Sequence, residues 1–225
     1  MTNIVIGIPN NGTLSSETAF GLFDALSRDH TDRKLITRIV ESQNLFVDFN
    51  RNVIAEGFIN YFKDDWLLFL DSDIEVTLEE IYDLYDIAVS NNLDVIGGIY
   101  FYSRGHRSMD LRPAVQIKLS NGKKTDLIDI DFNKDYFKVD SMGTGMMLIS
   151  RKALQQSYKI DGNGIPYWFK TYDEYGTFIA EDVYFCNTLK ESGIDVYACP
   201  KVTPRHIKLS AFNRYDFIKQ KNINR

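Results

Sequence analysis

The first hundred residues alternate between short aliphatic runs and amphipathic segments, and few folds accommodate that order. Ile4-Val5-Ile6-Gly7-Ile8 reads as a buried strand stopped by the turn formers Pro9-Asn10-Asn11-Gly12. From about Ser15 the spacing predicts a helix with Ala19, Phe20, Leu22, Phe23 and Leu26 on one face. Leu35 to Val40 reads as a second strand, Val47 to Phe62 as a second helix, and Trp66 to Leu70 as a third strand. Thr77-Leu78-Glu79-Glu80 is a capping-box pattern opening a helix to Ser90, and Val95 to Tyr100 is a further strand. Strands alternating with helices at this spacing build a parallel sheet covered by helices, which places the chain in the α/β class.

The second half changes character. Pro113 to Leu119, Asn121-Gly122 and Leu127 to Phe132 read as a hairpin with an Asn-Gly turn. Tyr136 to Asp140 and Met146 to Ile149 are further strands, separated by Ser141-Met142-Gly143-Thr144-Gly145. A polar, aromatic loop runs from Tyr158 to Phe178, followed by a helix over Glu181 to Ser192, a strand over Ile194 to Ala198 and a basic tail. With no linker or low-complexity tract, residues 1–225 are expected to form one domain, with a nucleotide-type half over 1–100 and an elaborated half over 101–225.

Chemistry concentrates where the third strand stops. Asp71 and Asp73 leave an extended chain on the same side, and two anions so close repel unless a cation lies between them. Hard oxygen ligands suit Mg²⁺ or Mn²⁺. The competing reading is an acidic strand-to-helix turn. Ligands of open α/β sheets gather beyond the carboxyl ends of the strands, where Pro9-Asn10-Asn11, Asp71-Ser72-Asp73 and Gly97-Gly98 all fall. The first turn is not a G-x-G-x-x-G fingerprint, and no G-x-x-x-x-G-K-[ST] loop is present.

Arg51 shares helical spacing with Val47, Ile54, Ala55 and Phe58, which puts a guanidinium on the core-facing stripe. A buried charge needs anionic company, either a phosphate or a strand-end carboxylate; otherwise the side chain must snorkel to solvent. Gly143 and Gly145 permit either close backbone approach to a ligand or a bulge. Glu181 and Asp182 at a helix start complement the dipole, or position a carboxylate to take a proton from an acceptor hydroxyl. His206 is structural or a metal ligand. Tyr167-Trp168-Phe169, Tyr172, Tyr175 and Phe178 complete a core or make a platform for sugar rings.

The net charge of −5 disfavours a general nucleic-acid binder. No apolar run reaches the roughly 20 residues of a membrane span. Cys186 and Cys199 have neither metal-ligand spacing nor disulfide-framework density, so a soluble, reduced cytoplasmic setting is expected.

Taken in order, these motifs resemble the GT-A glycosyltransferases, nucleotide-sugar-dependent enzymes with a DxD motif. Ile4 to Asn11 is similar to that family's first strand and nucleotide-contacting turn, Phe49-Asn50-Arg51-Asn52 to its Arg-Asn helix, and Leu67 to Ile74 to its DxD strand. Met142 to Ser150 resembles its glycine-containing donor or acceptor segment, and Glu181-Asp182-Val183 its Glu-Asp helix motif. The resemblance implies a Rossmann-like, mostly parallel sheet with helices on both faces and a smaller antiparallel hairpin region. It implies transfer of a sugar from a UDP- or GDP-sugar to a hydroxyl of a glycan, protein or lipid-linked acceptor. Pro9, Asn10, Asn11, Arg51, Asp71, Ser72, Asp73, Gly143 and Gly145 would bind the donor. Asp71, Asp73 and His206 would hold Mn²⁺ or Mg²⁺. Asp182 or Glu181 would be the base if the reaction inverts the anomeric centre, the outcome the Glu-Asp pair favours, and Asp182 would orient the acceptor if it retains configuration.

Rival readings fit less well. A haloacid-dehalogenase-type phosphatase carries its Asp-x-Asp after the first strand, where this chain has Asn10-Asn11. A sugar nucleotidyltransferase carries a glycine-rich, basic signature there. A non-catalytic sugar-binding module has no need of Arg51, Asp71, Asp73 and His206 together.

Overall fold

A computed structural model describes residues 3–103, 111–118, 124–174 and 177–208 of the chain. Seven strands form the main sheet: β1 (Ile4–Asn10), β2 (Ile36–Gln43), β3 (Trp66–Leu70), β4 (Val95–Gly98), β5 (Phe137–Val139), β6 (Met146–Ser150) and β7 (Val196–Cys199). Their order is β5-β7-β4-β6-β3-β1-β2. Strands β1, β2, β3, β4 and β7 run one way; β6 and β5 are antiparallel to their neighbours, so the sheet is mixed but mostly parallel. Both halves of the chain build it, because β6 lies between β3 and β4.

Helices cover both faces, and the period of two along each strand decides which face a side chain serves. Val5, Leu67, Phe69, Met147 and Ile149 pack against α2 (Val47–Tyr61), α4 (Arg151–Ser157) and α5 (Glu181–Glu191). Their neighbours Ile4, Ile6, Leu68, Leu70 and Leu148 pack against α1 (Ser16–Thr31) and α3 (Leu78–Ser90). Every residue of β3 is buried, so the acidic turn that follows grows out of the centre of the sheet. Among the described residues, no helix is long and apolar enough to cross a membrane.

Helix α3 spans the expected residues, and Thr77 and Glu80 cap it reciprocally. Ser15 caps α1, whose buried stripe differs from the one expected. Thr18, Leu22, Ala25 and Asp29 face inward, while Phe20 and Phe23 are 74% and 71% exposed. Gly21 explains the rotation: a Cβ there would stand 2.4 Å from the Val76 carbonyl oxygen, so α1 lies directly on backbone at its smallest residue. The first strand also runs further than its turn formers suggest, because Pro9 and Asn10 still pair with Ser42 and Gln43.

In the second half the antiparallel hairpin joins Val115–Lys118 to Lys124–Asp126 rather than to Leu127–Phe132. Its expected Asn121-Gly122 turn, Tyr175 and the tail beyond Lys208 lie outside the described residues. The segment read as a loop contains two small hairpins, Lys159–Ile160 with Pro166–Tyr167 and Tyr172–Glu174 with Thr177–Ile179. Helix α4 was not expected. Its first residue, Arg151, holds the carboxyl end of α2: Nη2 donates to the Phe58 and Phe62 carbonyls at 3.0 Å each, and Nη1 to Ile59 at 3.3 Å. Nε donates to the Asp64 carbonyl at 2.8 Å, and the guanidinium stacks 4.3 Å from the Phe58 ring centre.

One side chain therefore satisfies several terminal carbonyls that a helix cannot bond internally. Arg151→Met is expected to cost about 2–3 kcal/mol, the penalty of orphaning such acceptors, read as a lower urea midpoint at unchanged slope.

Candidate active site

A cavity of about 610 Å³ opens at the carboxyl ends of β1, β2 and β3. Its walls include Pro9, Asn10, Asn11, Asn50, Asp71, Ser72, Asp73 and Lys208. The volume is in the range of small-ligand sites. Six of the expected donor residues thus meet at one opening, brought together by the parallel register of β1 and β3. Asn10 shapes the rim by accepting from the Gly12 N–H at 2.7 Å, and Gly12 adopts the left-handed φ of 101° that this turn needs. Asn50 locks the rim from below. Its amide donates to the Asn10 and Asn44 carbonyls at 2.8 and 3.0 Å, and its oxygen accepts from the Ser42 hydroxyl.

Arg51 lies behind this wall, with its side chain 3% exposed. Nη2 donates to Asp71 Oδ1 at 2.8 Å, Nε stands 3.5 Å from Glu181 Oε1, and the guanidinium faces the Phe69 and Phe169 rings. The core-facing arginine therefore has the anionic company its burial demands. Nη1 has no hydrogen-bond partner among the described residues. Asn52, the next residue, accepts from the Trp168 and Phe169 N–H groups and donates to the Phe169 carbonyl, tying α2 to the aromatic segment.

The two acidic residues of α5 are not equivalent. Glu181 is turned to Arg51, whereas Asp182 makes a 2.6 Å contact to the Val183 N–H. Burial, reinforced by the Glu181 charge, pushes the Asp182 carboxyl up to about 6. A carboxylate with that pKa is charged at neutral pH yet able to accept a proton.

Asp73 projects the other way. Its Oδ2 faces His206 Nε2 at 3.3 Å and the Lys208 ammonium at 2.7 Å. Burial would raise this carboxyl, but the His206 and Lys208 contacts prevail and hold it at about 2. His206 is delivered by the antiparallel pairing of Arg205–His206 with Ile74–Glu75, a ladder not foreseen from the sequence. His206 Nδ1 lies 3.0 Å from the Phe101 carbonyl, which can only accept, so that nitrogen carries a proton. Nε2 is thereby turned towards Asp73, and an imidazole nitrogen beside a carboxylate oxygen is a donor pair that suits a divalent cation. Asp73 and His206 thus fit a metal ion. Asp71 is engaged by Arg51 instead, and among the described residues no three such side chains converge on one point.

Gly143 and Gly145 do not line the cavity. A Cβ on Gly143 would stand 2.0 Å from the Tyr100 hydroxyl, and one on Gly145 2.9 Å from Asp71 Oδ2. The bend makes room for Tyr100, whose hydroxyl is 3.3 Å from the Gly145 N–H and whose ring meets His206 edge-on at 5.3 Å. In the aromatic segment, Trp168 and Phe169 belong to the core, and Phe178 is 70% exposed. Tyr167 stacks on Tyr184 of α5, and Tyr172 meets Tyr184 edge-on. Tyr100 and Lys208 are site residues that the sequence reading did not single out, and Asn50 and Asn52 stood in the Phe49-Asn50-Arg51-Asn52 motif without a role of their own.

Residues 10–222 match the family described as Glycosyltransferase like family 2. A search of curated proteins returns no match. Among solved structures the chain is similar to A197 from STIV, at 22% identity and TM-score 0.61, over 92% of this chain and 87% of that one. It is also similar to GalNAc-T7, whose crystal structure contains UDP, GalNAc and Mn²⁺, at 10% identity and TM-score 0.60. That match covers 93% of this chain and 44% of GalNAc-T7. The fold is GT-A.

A raised carboxyl makes a stability prediction. The penalty for charging Asp182 in the folded protein is fully present above pH 6 and vanishes as pH falls towards the ordinary value of 3.8. Asp182→Asn is therefore expected to stabilise the protein by about 2 kcal/mol at pH 7 and to lose that advantage near pH 4, measured by urea unfolding at both pH values.

Proposed function

The chain belongs to the glycosyltransferase like family 2, and we propose that it moves a sugar from a nucleoside-diphosphate-sugar, a UDP- or GDP-sugar, to an acceptor hydroxyl with inversion. The observation that carries this reading is the division of charge around Arg51. Asp71 and Glu181 share the guanidinium, Asp73 faces His206, and Asp182 is left with its carboxyl near 6.

In this reading the nucleotide occupies the cavity between Pro9-Asn10-Asn11 and Asp71-Ser72-Asp73. Asp73 and His206 would hold Mn²⁺ or Mg²⁺, which when bound supplies positive charge to the leaving diphosphate. Further ligands would have to come from the diphosphate, as is usual for Mg²⁺ where a protein offers few of its own. Arg51 keeps Asp71 and Glu181 in place without reaching the cavity itself. The acceptor oxygen attacks the anomeric carbon, the bond from that carbon to the diphosphate breaks, and Asp182 takes the hydroxyl proton. Glu181, committed to Arg51, orients the acceptor side rather than acting as base. The half-buried tyrosines 167, 172 and 184 border the same end of α5, and their rings with hydroxyl tips suit a glycan acceptor better than a protein or lipid-linked one. Gly143 and Gly145 serve the donor site indirectly, by seating Tyr100 and Asp71. Residues 1–225 act as one unit, with the donor held mainly by the 1–100 half and completed by His206 and Lys208, and the acceptor on the 101–225 half.

A panel of UDP- and GDP-sugars, with and without Mn²⁺, is expected to show donor hydrolysis or transfer for one sugar in the presence of metal; a flat response throughout refutes the proposal. Asp73→Asn should lower turnover by about 10²-fold or more without unfolding the protein. Turnover should fall with decreasing pH through about 6 as Asp182 gains a proton. Asp182→Asn should remove that limb along with about 10²–10⁴-fold of the rate.

A further inference from the structure

Lys208 stands two residues beyond His206, at the wall of the cavity. Its ammonium lies 2.7 Å from Asp73 Oδ2, the same oxygen that faces His206 Nε2, and it lines the 610 Å³ cavity beside Asp71 and Ser72. The backbone that brings it there is pinned one residue earlier, where the Ile207 N–H donates to the Asp73 carbonyl at 2.7 Å. The Lys208 side chain itself is 59% exposed, on a flexible four-carbon stem.

We propose that Lys208 is an exchangeable cation of the donor site: it neutralises Asp73 in the free protein and turns to the diphosphate when a divalent ion takes its place. The inference rests on the donor reading of the cavity given above. Two positive charges cannot share one carboxylate oxygen at hydrogen-bond range without strong repulsion, so a divalent ion bound to Asp73 and His206 expels the ammonium. The pinned backbone at Ile207 keeps the displaced side chain at the cavity wall, within reach of a diphosphate bound in that cavity. Lysine suits this role because it acts as a mobile point charge, whereas the planar fork of arginine prefers a fixed bidentate partner. The lysine thus opposes metal binding in the empty site and favours nucleotide binding in the loaded one.

The two effects have opposite signs, which a merely structural contact would not produce. Isothermal titration of the full chain with Mn²⁺ alone should show Lys208→Met binding the ion about three-fold or more tightly, because the competitor is gone. Titration with UDP and with GDP in saturating Mn²⁺ should show the same variant binding the preferred nucleotide about ten-fold more weakly, with Lys208→Arg closer to wild type. Unchanged affinities in Lys208→Met, or a change in one without the opposite change in the other, overturn the exchange while leaving the donor site intact. A wild-type protein that binds Mn²⁺ but neither nucleotide overturns the donor reading, and the role of Lys208 with it.

Discussion

The structure depends on one guanidinium that cannot reach water. A buried arginine is tolerable only if nearby anions repay its lost hydration, and removing either side leaves the other charge stranded. Arg51 meets this condition with Asp71, from the turn after β3, and Glu181, from the start of α5. The centre of the sheet and the first turn of a helix from the far half of the chain are therefore held to the same atom group. Two rings, Phe69 and Phe169, close around it, so the ion pairs act in a medium of low polarity where geometry matters most.

The residues flanking Arg51 extend this bracing. Successive side chains on a helix point about 100° apart, so three in a row can address three elements. Asn50 reaches the ends of β1 and β2, Arg51 the carboxylates, and Asn52 the backbone of Trp168 and Phe169. Earlier on the same helix, Asp48 accepts from the Thr171 N–H. One helix thereby sets the cavity rim, the acidic centre and the aromatic wall relative to one another. The apolar residues Ile54, Ala55 and Phe58 a turn later anchor it to the sheet.

What could be read from the sequence, and what could not, follows from the range of the interactions involved. Helix α3 was legible because a capping box and an apolar stripe are local. The acidic turn was legible because its strand is apolar throughout. The stripe of α1 was misread because Gly21 lets backbone approach backbone, and that contact with Val76 is 55 residues away in the chain. Tyr100 gave no signal either: its partners are Gly145 and His206, both far along the sequence, and a tyrosine at a strand end suggests only core. The pairing of residues 205–206 with 74–75 was invisible for the same reason, since two-residue strands carry no periodicity. Site residues whose role comes from charge in a hydrophobic context, such as Arg51, stood out; those whose role comes from filling a space, such as Gly143 and Gly145, were open to more than one reading.

The same constraint explains why Asp182 differs chemically from its neighbour. Of the carboxylates near Arg51, Asp71 and Glu181 take the short contacts. Asp182 is left with its own helix start, burial, and the repulsion of Glu181 beside it. Burial and like charge both disfavour ionisation, and the Arg51 charge opposes them without cancelling them. A second arginine within reach would lower this carboxyl and make it a poor base; the loss of Arg51 would leave Asp71 and Glu181 to raise it further. The single buried cation thus holds two of these carboxylates together and leaves the third with a raised proton affinity.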